Sequence, residues 1–205
     1  MTRGLAAAAL ALAFLLAGCD DEQARIPSHA NFTATVNDFL AKRGHLCLAK
    51  YDWPIRVAAG SHATEAQQMA VLESAGLVAG KDGGTAAAPA RDYTLTDAGR
   101  KYYLHTPVVV RTATQKLTHP ADLCAAALSL DRLIGWDAPR TREGRTATSL
   151  LFTYRIAPEP WAHTPEVLRA FPVLAQAIER EKTLQVRLGV HLTPHGWVAD
   201  ELDEH

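Results

Sequence analysis

At 205 residues, with 21 Lys and Arg against 22 Asp and Glu, the chain has room for one or two domains and carries almost no net charge. A formal charge of −1 lacks the basic footprint that draws a protein to nucleic acid or anionic lipid, so no nucleic-acid partner is expected. Hydrophobic residues make up 48% of the sequence, which leaves enough for a core once the apolar start is set aside. No second apolar run approaches the about 20 residues that a membrane-spanning helix needs.

The chain opens with Met1-Thr2-Arg3-Gly4 and then an unbroken apolar run from Leu5 to Ala17. A positive start and a core of this length read as a signal peptide, over residues 1–18. The run ends in Leu16-Ala17-Gly18-Cys19, which resembles the lipobox of bacterial lipoproteins. The resemblance implies that the Cys19 thiol takes up a diacylglycerol and that a peptidase then cuts before it. Small residues at Ala17 and Gly18 suit a narrow protease site. The expected location is the cell envelope, with the membrane as a partner through the lipid. Asp20 and Asp21 resemble the inner-membrane retention signal of enteric bacteria, which leans toward the periplasmic face of the inner membrane and leaves the outer membrane open. Residues 19–28 are then a short polar tether, spanning roughly 30 Å from Asp20 to Ser28 if extended.

With Cys19 lipidated, Cys47 and Cys124 remain. An even pair in an oxidising compartment invites a disulfide. Two buried free thiols or half of a metal site are the alternatives, and no Cys-x-x-Cys or close Cys/His spacing favours metal.

Residues 29–104 are expected to form a first lobe. Phe32, Val36, Phe39 and Leu40 recur at helical spacing, and Gly44 stands where a C-terminal cap belongs, so a helix covers about Asn31 to Arg43. Leu46 and Leu48, then Trp53, Ile55 and Val57, alternate as in strands, and Pro54 makes the second an edge strand or a bend. Thr64-Glu65-Ala66-Gln67 fits a capping box for a helix that runs to Ala75 and ends at Gly76. Leu77-Val78 begins a strand, Gly83-Gly84 and the following alanines read as a loose loop, and Tyr93 to Thr96 returns. Thr96-Asp97-Ala98-Gly99 starts a further helix through Tyr103. The stretch Leu72 to Val78, a variable loop, and Tyr93 to Arg100 resembles the helix and wing of winged-helix proteins such as the MarR-type regulators. Such a fold binds DNA through the helix before Gly76, yet Thr64 to Ala75 holds no Lys or Arg for phosphate and has Glu65 and Glu73. The shape is therefore expected to serve protein contact.

Residues 105–122 read as a connector with a short strand at Val108–Val110. The second lobe, 123–205, is expected to be an antiparallel sheet with a helix packed on one face. Leu123 to Trp136 fits strand or helix, and the polar Arg140–Arg145 stretch after it favours a strand and a long hairpin loop. Leu150, Phe152, Tyr154 and Ile156 alternate strictly. Thr164 caps a helix with Pro165 at its first position, and Pro172 kinks or splits it. Leu184 to Leu192 alternate most cleanly, Thr193 to Gly196 turns, and Trp197-Val198 pairs back. The whole chain is thus α+β. Phe152-Thr153-Tyr154, Pro160-Trp161-Ala162 and Gly196-Trp197 resemble small envelope lipoproteins.

No catalytic set stands out. Gly-x-Ser-x-Gly is absent, and Ser61-His62 more simply caps a helix. A Cys47 or Cys124 thiol with His45 would be silenced by disulfide formation. Asp20-Asp21, Asp200-Glu201 and Asp203-Glu204 read as solvated tails. His163, His191 and His195 with Glu166 lack a diagnostic metal spacing, so neither metal nor cofactor is expected. Arg140, Arg142 and Arg145, around Glu143 at the tip of the hairpin loop, point to contact with an acidic partner or lipid headgroups. Separately, the polar series Gln185, Arg187, Gly189 and His191 on the last strand makes one sheet face wet, a groove for a partner or small ligand. The function read from this is a non-enzymatic binding or envelope-assembly role. A periplasmic hydrolase with an unrecognised site and a carrier of a small apolar ligand are the alternatives.

Overall fold

A computed structural model of the chain describes residues 19–203. The signal peptide read at 1–18 and the side chains of Cys19, Asp20 and Asp21 lie outside the described residues. In chain order the elements are α1 (Cys19–Ala24), α2 (His29–Arg43), β1 (His45–Cys47), β2 (Ile55–Ala58), α3 (Thr64–Ser74), β3 (Val78–Thr85), β4 (Ala88–Leu95), α4 (Asp97–Arg100), β5 (Tyr103–Leu104), β6 (Val108–Arg111), β7 (Lys116–His119), β8 (Asp122–Trp136), β9 (Arg140–Arg142), β10 (Arg145–Pro158), α5 (Pro165–Ala170), α6 (Pro172–Glu179), β11 (Val186–Thr193) and β12 (Gly196–Ala199). Short 3-10 turns cover Pro160–His163 and Asp200–Leu202. No helix among the described residues is long and apolar enough to cross a membrane. The strands pair antiparallel throughout, and the chain mixes helix and sheet.

The chain forms two compact units. Unit 1 holds the residues up to Phe39, Arg132–Phe152 and the residues from Gln185; unit 2 holds Leu40–Asp131 and Thr153–Leu184.

In unit 1, β10 pairs with β9 on one side and β11 on the other, and β11 pairs with β12. The β9–β10 turn needs positive φ at both central residues, and Glu143 (φ 50°) and Gly144 (φ 80°) supply it. One face of this ladder is apolar: Leu150, Phe152, Leu188, Val190 and Trp197 are buried. The helix against it is α2. Phe32, fully buried, sits 5.0 Å from both the Trp136 and the Trp197 rings, and the Thr35 hydroxyl donates to Trp197 O at 3.1 Å. The short polar tether is helical at its start and docked. The Trp197 indole N–H, on a buried side chain, donates to Arg25 O at 3.1 Å, and the Asn31 amide donates to Gln23 O and Ile26 O at 2.7 and 2.8 Å. Gly196 (φ 121°) keeps the approach open, since a β-carbon there would lie 3.1 Å from Ala24 O.

In unit 2, α3 lies beside the sheet β2-β4-β3, with β2 at an edge as Pro54 required. The helix-then-hairpin order read from Leu72 to Arg100 is present, but three details differ. The N-cap is Ala63, without a side-chain bond, so Thr64 is already helical and its hydroxyl forms no capping box. The Gly83-Gly84 stretch is not a loop: β3 runs to Thr85 and β4 starts at Ala88, because ladder pairing such as Gly83↔Ala90 holds a stretch of weak intrinsic strand preference. The helix capped by Thr96 stops at Arg100, and Tyr103–Leu104 pairs with Asp122–Leu123 as a strand. A second hairpin, β6–β7, occupies most of the stretch read as connector. Thr164 caps α5 by accepting the Val167 N–H, and Pro172 splits α5 from α6 as expected. These helices do not belong to the β10–β12 ladder: α5 packs against α3, where the Gln68 amide donates to Ala170 O at 3.1 Å.

Candidate functional site

Residues directly opposite in an antiparallel ladder share a face. The register sets Arg145 opposite Arg142, Ala147 opposite Arg140 and His191, Ser149 opposite Gly189, and Leu151 opposite Arg187. Arg140, Arg142, Arg145, Arg187 and His191, singled out in the sequence for partner contact, therefore all stand on one face of the unit 1 ladder. It is the face opposite Leu150, Leu188 and Trp197.

The floor between these long side chains is made of Ala147, Ser149 and Gly189, which leaves an open hollow of about 640 Å³ walled by Asp137, Arg140 and Asp200. The Arg187 guanidinium donates to Asp137 Oδ2 at 2.7 Å. Arg145 donates to Asp200 Oδ1 at 2.8 Å. The His191 ring lies between two carboxylates, with Nδ1 2.8 Å from Asp200 Oδ1 and Nε2 2.8 Å from Asp203 Oδ2. This cover is why His191 is only 9% exposed although it sits on the polar face. Asp200 also leans over the strand: a β-carbon at Gly189 would lie 2.5 Å from Asp200 Oδ2. Asp200 and Asp203, read as part of a solvated tail, are thus folded back onto the ladder by the turn at Asp200–Leu202. Arg140 and Arg142 are exposed, and no ion pair or hydrogen bond engages either guanidinium among the described residues.

Unit 2 carries two further features. Cys47 and Cys124 are disulfide-bonded, joining β1 to β8 at directly paired positions. Beside Cys47 lies a cavity of about 220 Å³ lined by Leu46, Leu48, Phe171 and Leu174, with Gln68 its polar group. The loop after it is held by Asp122. That buried carboxylate accepts the Ala49 and Lys50 N–H groups at 3.2 and 2.8 Å, with Ala49 at φ 56°. Burial pushes the Asp122 carboxyl above its ordinary value, against the pull of these N–H bonds and the Lys50 charge. The arrangement is a loop anchor.

Among the described residues no three His, Cys, Asp or Glu side chains gather to hold a metal ion. His163 belongs to unit 2 and His191 to unit 1. Sequence reasoning missed Asp137 and Asp200 as partners of the basic face. One signal pointed to Asp200: a lone glycine inside a clean strand, Gly189, marks a close approach by another group. Compared with known proteins, the chain matches no protein-family model, no curated protein and no solved structure.

Proposed function

We propose that this chain is a lipid-anchored protein of the bacterial envelope, attached through Cys19, with a non-enzymatic role in binding another envelope component. The observation that carries the binding reading is the shared face of Arg140, Arg142, Arg145, Arg187 and His191, with the first two exposed. Arginine at such a surface favours carboxylate or phosphate, which its planar fork can hold bidentately. The anchor reading rests on the Leu5–Ala17 run and on Leu16-Ala17-Gly18-Cys19. The Cys47–Cys124 disulfide supports a compartment outside the reducing cytoplasm. Asp20 and Asp21 favour the inner membrane. In this reading α3 and the β3–β4 hairpin form a winged-helix-like lobe used for protein contact. A second reading, a site for a small apolar ligand, is favoured by the cavity beside Cys47.

Two measurements test the proposal. Fatty-acid labelling in cells should mark the wild-type chain and leave Cys19→Ser unlabelled and unprocessed; label kept by the variant would end the anchor reading. Crosslinking of intact envelopes followed by pull-down should give a specific adduct that Arg140→Glu/Arg142→Glu loses. Adducts identical for both chains would remove the basic face from the binding role.

A further inference from the structure

We propose that the acidic turn Asp200–Asp203 is a built-in latch over the basic face, and that the face takes an acidic peptide segment of a partner protein in its place. The inference rests on the binding role given above and names its ligand class. The turn fills the face as a bound acidic segment would. Asp200 reaches both Arg145 and His191 at 2.8 Å, and Asp203 meets the far nitrogen of the same ring at 2.8 Å. Two carboxylates three residues apart on one short turn thus engage two strands, β10 and β11, at once. The strand accommodates this ligand, because Gly189 is the position where any side chain would collide with Asp200.

The charge count shows what the latch does. With the turn in place, three carboxylates, Asp137, Asp200 and Asp203, stand against the basic set. With it lifted, Arg145 and His191 lose these carboxylates, while Arg187 keeps Asp137. The contacts are partly exposed on the carboxylate side: the Arg145 and Asp200 side chains are 58% and 45% accessible and Asp203 is 55% accessible, while His191 is 11%. Contacts of this kind are weak and screened by salt, so a competing carboxylate segment can displace them. Arg140, which lines the hollow, and Arg142, on the same face, are exposed and open to a competitor's carboxylates. Spaced carboxylates are favoured over a lipid headgroup because the turn already on the face presents carboxylates at this spacing.

The test uses the full chain and a labelled peptide with the sequence of residues 199–203, Ala-Asp-Glu-Leu-Asp, followed by fluorescence anisotropy. Asp200→Asn/Asp203→Asn keeps the shape of the turn and removes its charge. This variant should bind the peptide roughly tenfold more tightly than the wild-type chain, equivalent to about 1.4 kcal/mol. The gain should vanish when Arg145→Ala is added and weaken as salt rises. Equal binding by the wild-type and Asn/Asn chains would overturn the latch, as would a gain that survives Arg145→Ala. A preference of the Asn/Asn chain for phosphatidylglycerol vesicles over the peptide would overturn the peptide class. An envelope adduct that needs Arg140 and Arg142, with no gain in the Asn/Asn chain, sinks the latch and leaves the binding role standing. A peptide gain without any envelope adduct supports the latch and sinks the envelope-partner reading.

Discussion

Replacing Cys47 and Cys124 together by Ala is expected to lower stability by about 4 kcal/mol. The bridge closes a long loop, the two cysteines standing 77 positions apart in sequence. Closing a loop of that length removes many conformations from the unfolded chain, and the native state loses little because both positions already face each other in the β1–β8 ladder. The effect should be read in urea unfolding of the oxidised wild-type chain and the double-alanine chain, as a lower midpoint. The slope should change as well, because an unfolded chain without the crosslink exposes more surface. Alkylation of the folded wild-type chain without reductant should modify neither cysteine. A midpoint shift worth under about 1 kcal/mol would mean that ladder pairing alone holds β1 and that the crosslink adds little.

Phe32→Ala is expected to cost about 3–5 kcal/mol, as large-to-small changes at fully buried aromatics do. Phe32 is fully buried with its ring centroid 5.0 Å from those of two indole rings, so truncation leaves a void in the apolar face of unit 1. Trp136 and Trp197 flank the void, and tryptophan fluorescence should report both the lower stability and an altered native-state signal. Val173→Ala is the control. Val173 is 82% exposed, and its change should stay within about 0.5 kcal/mol. A Phe32→Ala chain as stable as wild type would mean that α2 is not the element that closes the apolar face of unit 1.

How far the sequence could be read depended on side-chain alternation. β10 and β11 were legible because Leu150 and Phe152, or Leu188 and Val190, point one way while Ser149 or Arg187 point the other. The same alternation exposed the basic face, since Arg187, Gly189 and His191 are its polar half. β8 was ambiguous because its first residues, from Asp122 to Ala126, are buried in succession, and a strand buried on both faces loses its period of two. β3 and β4 were legible at Val78 and at Tyr93–Leu95, but their extension through Gly83 to Ala90 was hidden because Gly and Ala carry no pattern to read. The carboxylates of the site were hidden for another reason. Asp200 and Asp203 are ordinary acidic residues among others in sequence, and only the fold brings them back over Gly189 and His191.

The docked start of the chain changes what a lipid at Cys19 would do mechanically. Six residues in a helix advance about 9 Å, against about 20 Å when extended, and Cys19–Ala24 is helical. Its end and the next residues are pinned to the ladder by Trp197 and to α2 by Asn31. A slack leash lets a protein sweep a hemisphere and meet partners at any angle; a short stub fixed at both ends is a bracket. Lipidation of such a bracket restrains the tilt of unit 1 as well as its height, so the Arg140–His191 face would hold a preferred heading relative to the membrane plane. Encounter with a neighbour in the same membrane would then be confined to two dimensions and a narrow range of angles, and the high effective concentration would raise occupancy for the same modest contact energy.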